Sequence, residues 1–142
     1  MSEFLQFFTP KVSKNGGFIF VDSKISAGFP SPADDFKEAR ISLDEELVPN
    51  KEATFFARVS GQSMRGAGLD DNDLLVIDRS LDPKNNRIAV CFLDGEFTVK
   101  RLKVKDNQIW LQPENPEYPC IKITEENTFV IWGIVTNVIK KV

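Results

Sequence analysis

From Ala53 onward, short apolar runs alternate with clusters of turn residues. Ala53–Val59 is a strand candidate. Gly61–Asp73 is polar and glycine-rich, which predicts a loop or a short helix. Leu74–Asp78 is a continuous apolar run of the kind a buried strand shows. Arg87–Leu93 and Glu96–Val104 flank the pair Asp94-Gly95. A tight type I′ turn needs positive φ at both central residues, so this pair predicts a β-hairpin. Asp106-Asn107 predicts another turn, followed by strands at Gln108–Gln112, Cys120–Ile123 and Phe129–Ile139. About seven short strands with few helical periods predict an all-β, mainly β fold.

Residues 1–38 read differently. Pro10, Gly16, Gly17, Gly28, Pro30 and Pro32 punctuate short aromatic patches at Phe4, Phe7, Phe8, Phe18 and Phe20. This pattern predicts a flexible, extended N-terminal arm rather than a packed element. The Phe residues need a surface to dock on, because a bare aromatic arm is a sticky patch. Residues 39–142 are then the folded domain, with a helical turn around Asp44-Glu45-Glu46-Leu47.

Composition narrows the function. The chain has 142 residues, enough for one compact domain plus a short arm. Apolar residues make up 42%, and 12 of them are Phe, so a sheet-rich core can form. A net charge of −3 argues against strong direct binding to nucleic acid or an anionic membrane. The basic stretch Lys100–Lys105 reads first as a strand with a solvated face. No 18-residue apolar run is present, and the first residues lack the basic and apolar regions of a secretory signal. The expected location is cytoplasmic. Cys91 and Cys120 lie in apolar strand-like stretches and read as buried, reduced thiols.

The most informative count is that the chain contains no histidine. A Ser-His-Asp or Cys-His site is therefore impossible within it. Two cysteines without histidine do not make a typical zinc site either, so no metal and no cofactor is expected. Any nucleophilic catalysis needs another base.

Two segments supply candidates. In Ser60-Gly61-Gln62-Ser63-Met64-Arg65-Gly66-Ala67-Gly68, a serine follows a strand and enters a glycine-flanked bend. The backbone N–H groups of Gln62 and Ser63 can form an oxyanion hole there. Taken alone, such a segment is usually just a loop. In Gly95–Leu102, strand alternation places Thr98, Lys100 and Leu102 on one face and Phe97, Val99 and Arg101 on the other. An isolated lysine at such a place is usually a snorkelling side chain. With histidine absent, the pair gains weight. A lysine serves as general base only when neutral, so its pKa must fall from about 10.4 to near 7. Burial among apolar neighbours can do this.

Ser60–Met64, Leu69-Asp70-Asp71-Asn72-Asp73-Leu74-Leu75 and Asp94–Leu102 together resemble the LexA/UmuD family of self-cleaving serine peptidases. Ala27-Gly28-Phe29-Pro30-Ser31-Pro32 resembles the cleavage region of its UmuD branch. The order is also similar: scissile Ala-Gly, then nucleophile, then lysine. The likeness covers roughly residues 25–142. The first two dozen residues are too short and irregular for the helix-turn-helix of the family's repressors.

The resemblance implies the LexA/UmuD-type C-terminal peptidase fold of short twisted sheets. It implies catalysis by Ser63 and Lys100 and self-cleavage between Ala27 and Gly28. It further implies a bacterial homodimer stimulated by a RecA–single-stranded-DNA filament in the SOS response. The processed form would join a UmuC-like subunit as an error-prone translesion polymerase. Local physics is compatible. Gly28 allows close backbone approach, and Pro30 and Pro32 cannot extend a strand ladder. Alternative readings are a non-catalytic polymerase or RecA adaptor of the same fold, a phage-repressor-like autoprotease fragment, and a signal-peptidase-like enzyme, which would need a membrane anchor.

Overall fold

The computed structural model describes residues 4–11, 18–21 and 38–142. The chain divides into two compact units, one of residues 1–10 with 50–142 and one of residues 11–49. In the larger unit the strands β1 (Phe4–Phe8), β4 (Thr54–Ser60), β5 (Leu74–Asp78), β6 (Ile88–Leu93), β7 (Glu96–Lys105), β8 (Gln108–Gln112), β9 (Ile121–Lys122) and β10 (Phe129–Ile139) form one sheet. Their order is β1-β4-β5-β10-β6-β7-β8-β9. Every pairing is antiparallel. The sheet is curled, and the protein is mainly β as the pattern predicts. In the smaller unit, β2 (Phe18–Val21) pairs with β3 (Glu38–Ile41). Helix α1 (Leu43–Leu47) follows, its first turn capped by Ser42 Oγ, which accepts from the Glu45 N–H.

The hairpin at Asp94-Gly95 forms as the pair demands, with φ of 48° and 91°. Asp106 and Asn107 turn the next corner, with φ of 52° and 61°. Both pairs match the type I′ requirement of two residues at positive φ. Together they set the registers Val90↔Val99 and Leu102↔Leu111.

Strand alternation divides the core into two clusters. Val90 and Val99 pack with Ala57, Val59, Met64, Leu69, Leu75 and Ile77. Ala89 and Cys91, one position either side of Val90, pack with Leu102, Leu111 and Ile134. The period of two along a strand sends successive residues of β6 to opposite faces. Complete burial of a side chain such as Leu75 or Ile77 contributes about 2–3 kcal/mol.

Phe4–Phe8 lies within the stretch whose punctuation predicts an extended arm, yet it is a strand of the main sheet. Its alternation explains why. Leu5 and Phe7 pack on the first cluster, and the Phe7 ring lies 4.9 Å from Phe97 and 4.7 Å from Trp132. The Phe residues of this segment need a docking surface, and for Phe7 it is the aromatic end of the body. Ala27 and Gly28 lie outside the described residues.

Candidate active site

The nucleophile candidate sits at the end of β4. The two ends of the 61–73 segment are tied together, with the Val59 N–H donating to Asp73 O at 2.9 Å and the Asn72 N–H to Val59 O at 2.8 Å. The Gly61 N–H donates to Asp71 Oδ1. Between these ties Met64 and Leu69 are buried as apolar anchors. Ser63 precedes Met64, and a single 3₁₀ turn follows over Arg65–Ala67. Gly68 ends that turn at φ 82°, a left-handed conformation for which glycine is the least strained residue. The sequence thus writes a buried hydrophobe on each side of a short turn and holds Ser63 against the body.

The lysine comes from the middle of β7. Lys100 is paired with Ala89, and Thr98 with Cys91. Residues paired across strands share a face, so Lys100 sits among small apolar neighbours of the second cluster. Ser63 is 1% and Lys100 5% exposed. Lys100 Nζ lies 3.1 Å from Ser63 Oγ. The same amine contacts Thr98 Oγ1 and donates to Val99 O at 3.2 Å. Two residues 37 positions apart in sequence thus meet at hydrogen-bond distance inside the protein.

Cys91 lies on the same face. Burial pushes its thiol up to about 12, while the charge of a protonated Lys100 pulls the other way. The thiol is therefore neutral at ordinary pH and is no rival nucleophile. Among the described residues, no group of His, Cys, Asp and Glu is arranged to hold a metal ion.

A third segment completes the site, and the sequence pattern does not announce it. Residues 113–117 follow β8 and lie against the Ser63 loop. Asn115 Nδ2 donates to Gln62 O at 2.8 Å, and Glu114 O accepts from the Gly66 N–H at 2.7 Å. A Cβ at Gly66 would fall 2.4 Å from Glu114 O, so this close approach requires glycine. The Glu114 carboxylate pairs with Arg101, the residue after Lys100, at 2.5 Å. Thr98 is detectable in the sequence through its shared face with Lys100. Asn115 carries no such signal, because its partner Gln62 lies 53 positions earlier.

A strand–turn nucleophile candidate, a buried amine beside it and an all-antiparallel curled sheet define a class of peptidase that works without histidine. Comparison with known proteins agrees: residues 19–136 match the Peptidase S24-like family, and the chain belongs to that family, in its UmuD-like branch. It is 43% identical over 119 residues to protein MucA of Salmonella typhimurium, covering 83% of this chain and 81% of that protein. It is 42% identical over 125 residues to protein ImpA of Escherichia coli, covering 87% and 83%. It is 44% identical over 115 residues to protein SamA of Salmonella typhimurium, covering 81% and 79%. Membership makes the chain a serine peptidase at the level of the family. Among the described residues, no helix is long and apolar enough to cross a membrane.

Proposed function

We propose that this chain is a UmuD-like SOS mutagenesis protein that cuts its own backbone between Ala27 and Gly28, using Ser63 as nucleophile and Lys100 as base. The observation that carries the reading is the 3.1 Å approach of Lys100 Nζ to Ser63 Oγ with both side chains buried. With its two N–H groups directed at Thr98 Oγ1 and Val99 O, a neutral amine turns its lone pair to the Ser63 hydroxyl. Ser63 Oγ attacks the Ala27 carbonyl carbon, and its proton passes to Lys100 Nζ. The N–H groups of Gln62 and Ser63 hold the oxyanion. The C–N bond then breaks, and Lys100 returns the proton to the amine of Gly28. Water then gives a proton to Lys100 and attacks the ester carbonyl; the bond to Ser63 Oγ breaks, and Lys100 passes the proton to that oxygen, which frees the Ala27 carboxylate.

Kinship with the UmuD branch supports a biological setting for this cleavage. The protein acts as a homodimer, and a RecA–single-stranded-DNA filament stimulates cleavage. The processed chain joins a UmuC-like polymerase subunit in translesion synthesis. A partner can raise the rate only by favouring the conformation in which the Ala27 carbonyl reaches Ser63. A non-catalytic adaptor of the same fold has no need of a buried Ser–Lys contact, which favours the peptidase reading.

The test is incubation of the purified chain at mildly alkaline pH with mass measurement of the products. Fragments ending at Ala27 and beginning at Gly28 are expected, and none in Ser63→Ala or Lys100→Ala. A break elsewhere, or cleavage that survives both substitutions, contradicts the assignment.

A further inference from the structure

We infer that Asn115 is a positioning residue for the oxyanion hole, orienting the Gln62–Ser63 peptide so that the Ser63 N–H faces the reacting carbonyl. The inference rests on the self-cleavage reading above and adds to it a residue outside the dyad.

The peptide plane couples the two groups. Among the described residues no peptide bond is cis, so the C=O of Gln62 and the N–H of Ser63 point in opposite directions within one rigid plane. Whatever fixes the Gln62 oxygen therefore fixes the Ser63 N–H. Two donors reach that oxygen. The Arg65 N–H does so at 3.2 Å from within the same turn. Asn115 Nδ2 does so at 2.8 Å from a different part of the fold. The second contact is shorter, and it references the loop to the body.

Asn115 is itself held in a defined orientation. It is 8% exposed. Its Oδ1 accepts from the Glu117 N–H at 3.0 Å, so the amide must turn its Nδ2 toward Gln62. The segment carrying it is anchored at two more points, through the Gly66 N–H to Glu114 O and through the ion pair of Glu114 with Arg101. Arg101 is the neighbour of Lys100 on β7. One short segment therefore braces the loop that carries the nucleophile and the strand that carries the lysine. An oxyanion donor loses its effect when misdirected by a fraction of an ångström, which gives such a brace a catalytic consequence.

Asn115→Asp separates the two jobs of the side chain. One carboxylate oxygen still accepts from the Glu117 N–H, whereas the other faces Gln62 O with no proton to donate. Self-cleavage of the full chain is followed across pH 7–10 with thermal unfolding measured in parallel. Expected is a plateau rate at least about tenfold below that of the unsubstituted chain, a fraction of the loss seen when a whole oxyanion donor is removed. The pH midpoint is read in Asn115→Ser, which adds no charge near Lys100, and should stay in place there.

A rate within about twofold of the unsubstituted chain overturns the inference, as does a lost rate in Asn115→Ser accompanied by a displaced midpoint, which would place the effect on the lysine. Should the buried carboxylate prevent folding, Asn115→Ser removes the same donor without charge and is read in the same way. Failure of the unsubstituted chain to cleave after Ala27 would instead defeat the dyad reading, so the two failures are distinguishable.

Discussion

At the scale of the residue, the fold decides which groups can react. Cys91 and Cys120 look alike in sequence, each in an apolar stretch. The structure separates them, with Cys91 buried and Cys120 exposed. Sequence periodicity sees the strand but not which end of it meets solvent. A thiol-directed reagent at pH 8 should modify one cysteine in the folded chain, Cys120, and both after denaturation; rapid labelling of Cys91 in the folded chain would contradict its burial. The raised Cys91 pKa also sets a sign for stability. The folded thiol holds its proton to about pH 12, while the unfolded one releases it near 9. The unfolded state therefore gains on the folded one as pH rises from about 9 toward 12.

Ser63 and Lys100 show how far a single sequence reaches. Each is ordinary alone, and the absence of histidine makes lysine the base to consider. Alternation along β7 is enough to put Thr98 on the lysine's face. Nothing local points to Asn115, because its hydrogen bond to Gln62 depends on how β8 is followed by residues 113–117. Ala27 and Gly28, which the resemblance marks as the scissile pair, lie outside the described residues.

At the scale of the element, the strands from β4 to β10 follow the apolar pattern closely, with ends differing by at most one residue. Their turns carry strong chemistry, as at Asp94-Gly95. The strands before them are not legible in the pattern. β1, β2 and β3 are four or five residues long and sit between glycines and prolines, so local signals favour irregular chain. For β1 the missing information is tertiary: an open edge on β4 and aromatic rings that receive Phe7. Its stability is borrowed from that contact. Phe7→Ala should lower the stability of the folded chain by about 2 kcal/mol, from lost burial and two aromatic contacts. Denaturant unfolding measures this, and an unchanged midpoint would mean that β1 contributes nothing to the body.

At the scale of the whole molecule, the proposed self-cleavage makes substrate and catalyst parts of one chain. An intramolecular substrate has a high effective concentration, up to about 10⁵ M or more when well oriented. A site with one base and no histidine can therefore suffice, at the cost of acting once per chain. What such a site demands is a neutral lysine. Burial of Lys100 opposite Ala89, 5% exposed, works in that direction, because desolvation penalises the charged form.

The most direct test of this demand is the pH–rate profile of self-cleavage for the unsubstituted chain and for Lys100→Arg. Arginine keeps the positive charge and much of the length but does not give up its proton in this range. The account predicts that the unsubstituted chain cleaves after Ala27 with a rate that rises as one proton is lost and then levels, while Lys100→Arg remains uncut from pH 7 to 10. Cleavage of Lys100→Arg at a comparable rate, or a rate of the unsubstituted chain that does not change with pH, would contradict it.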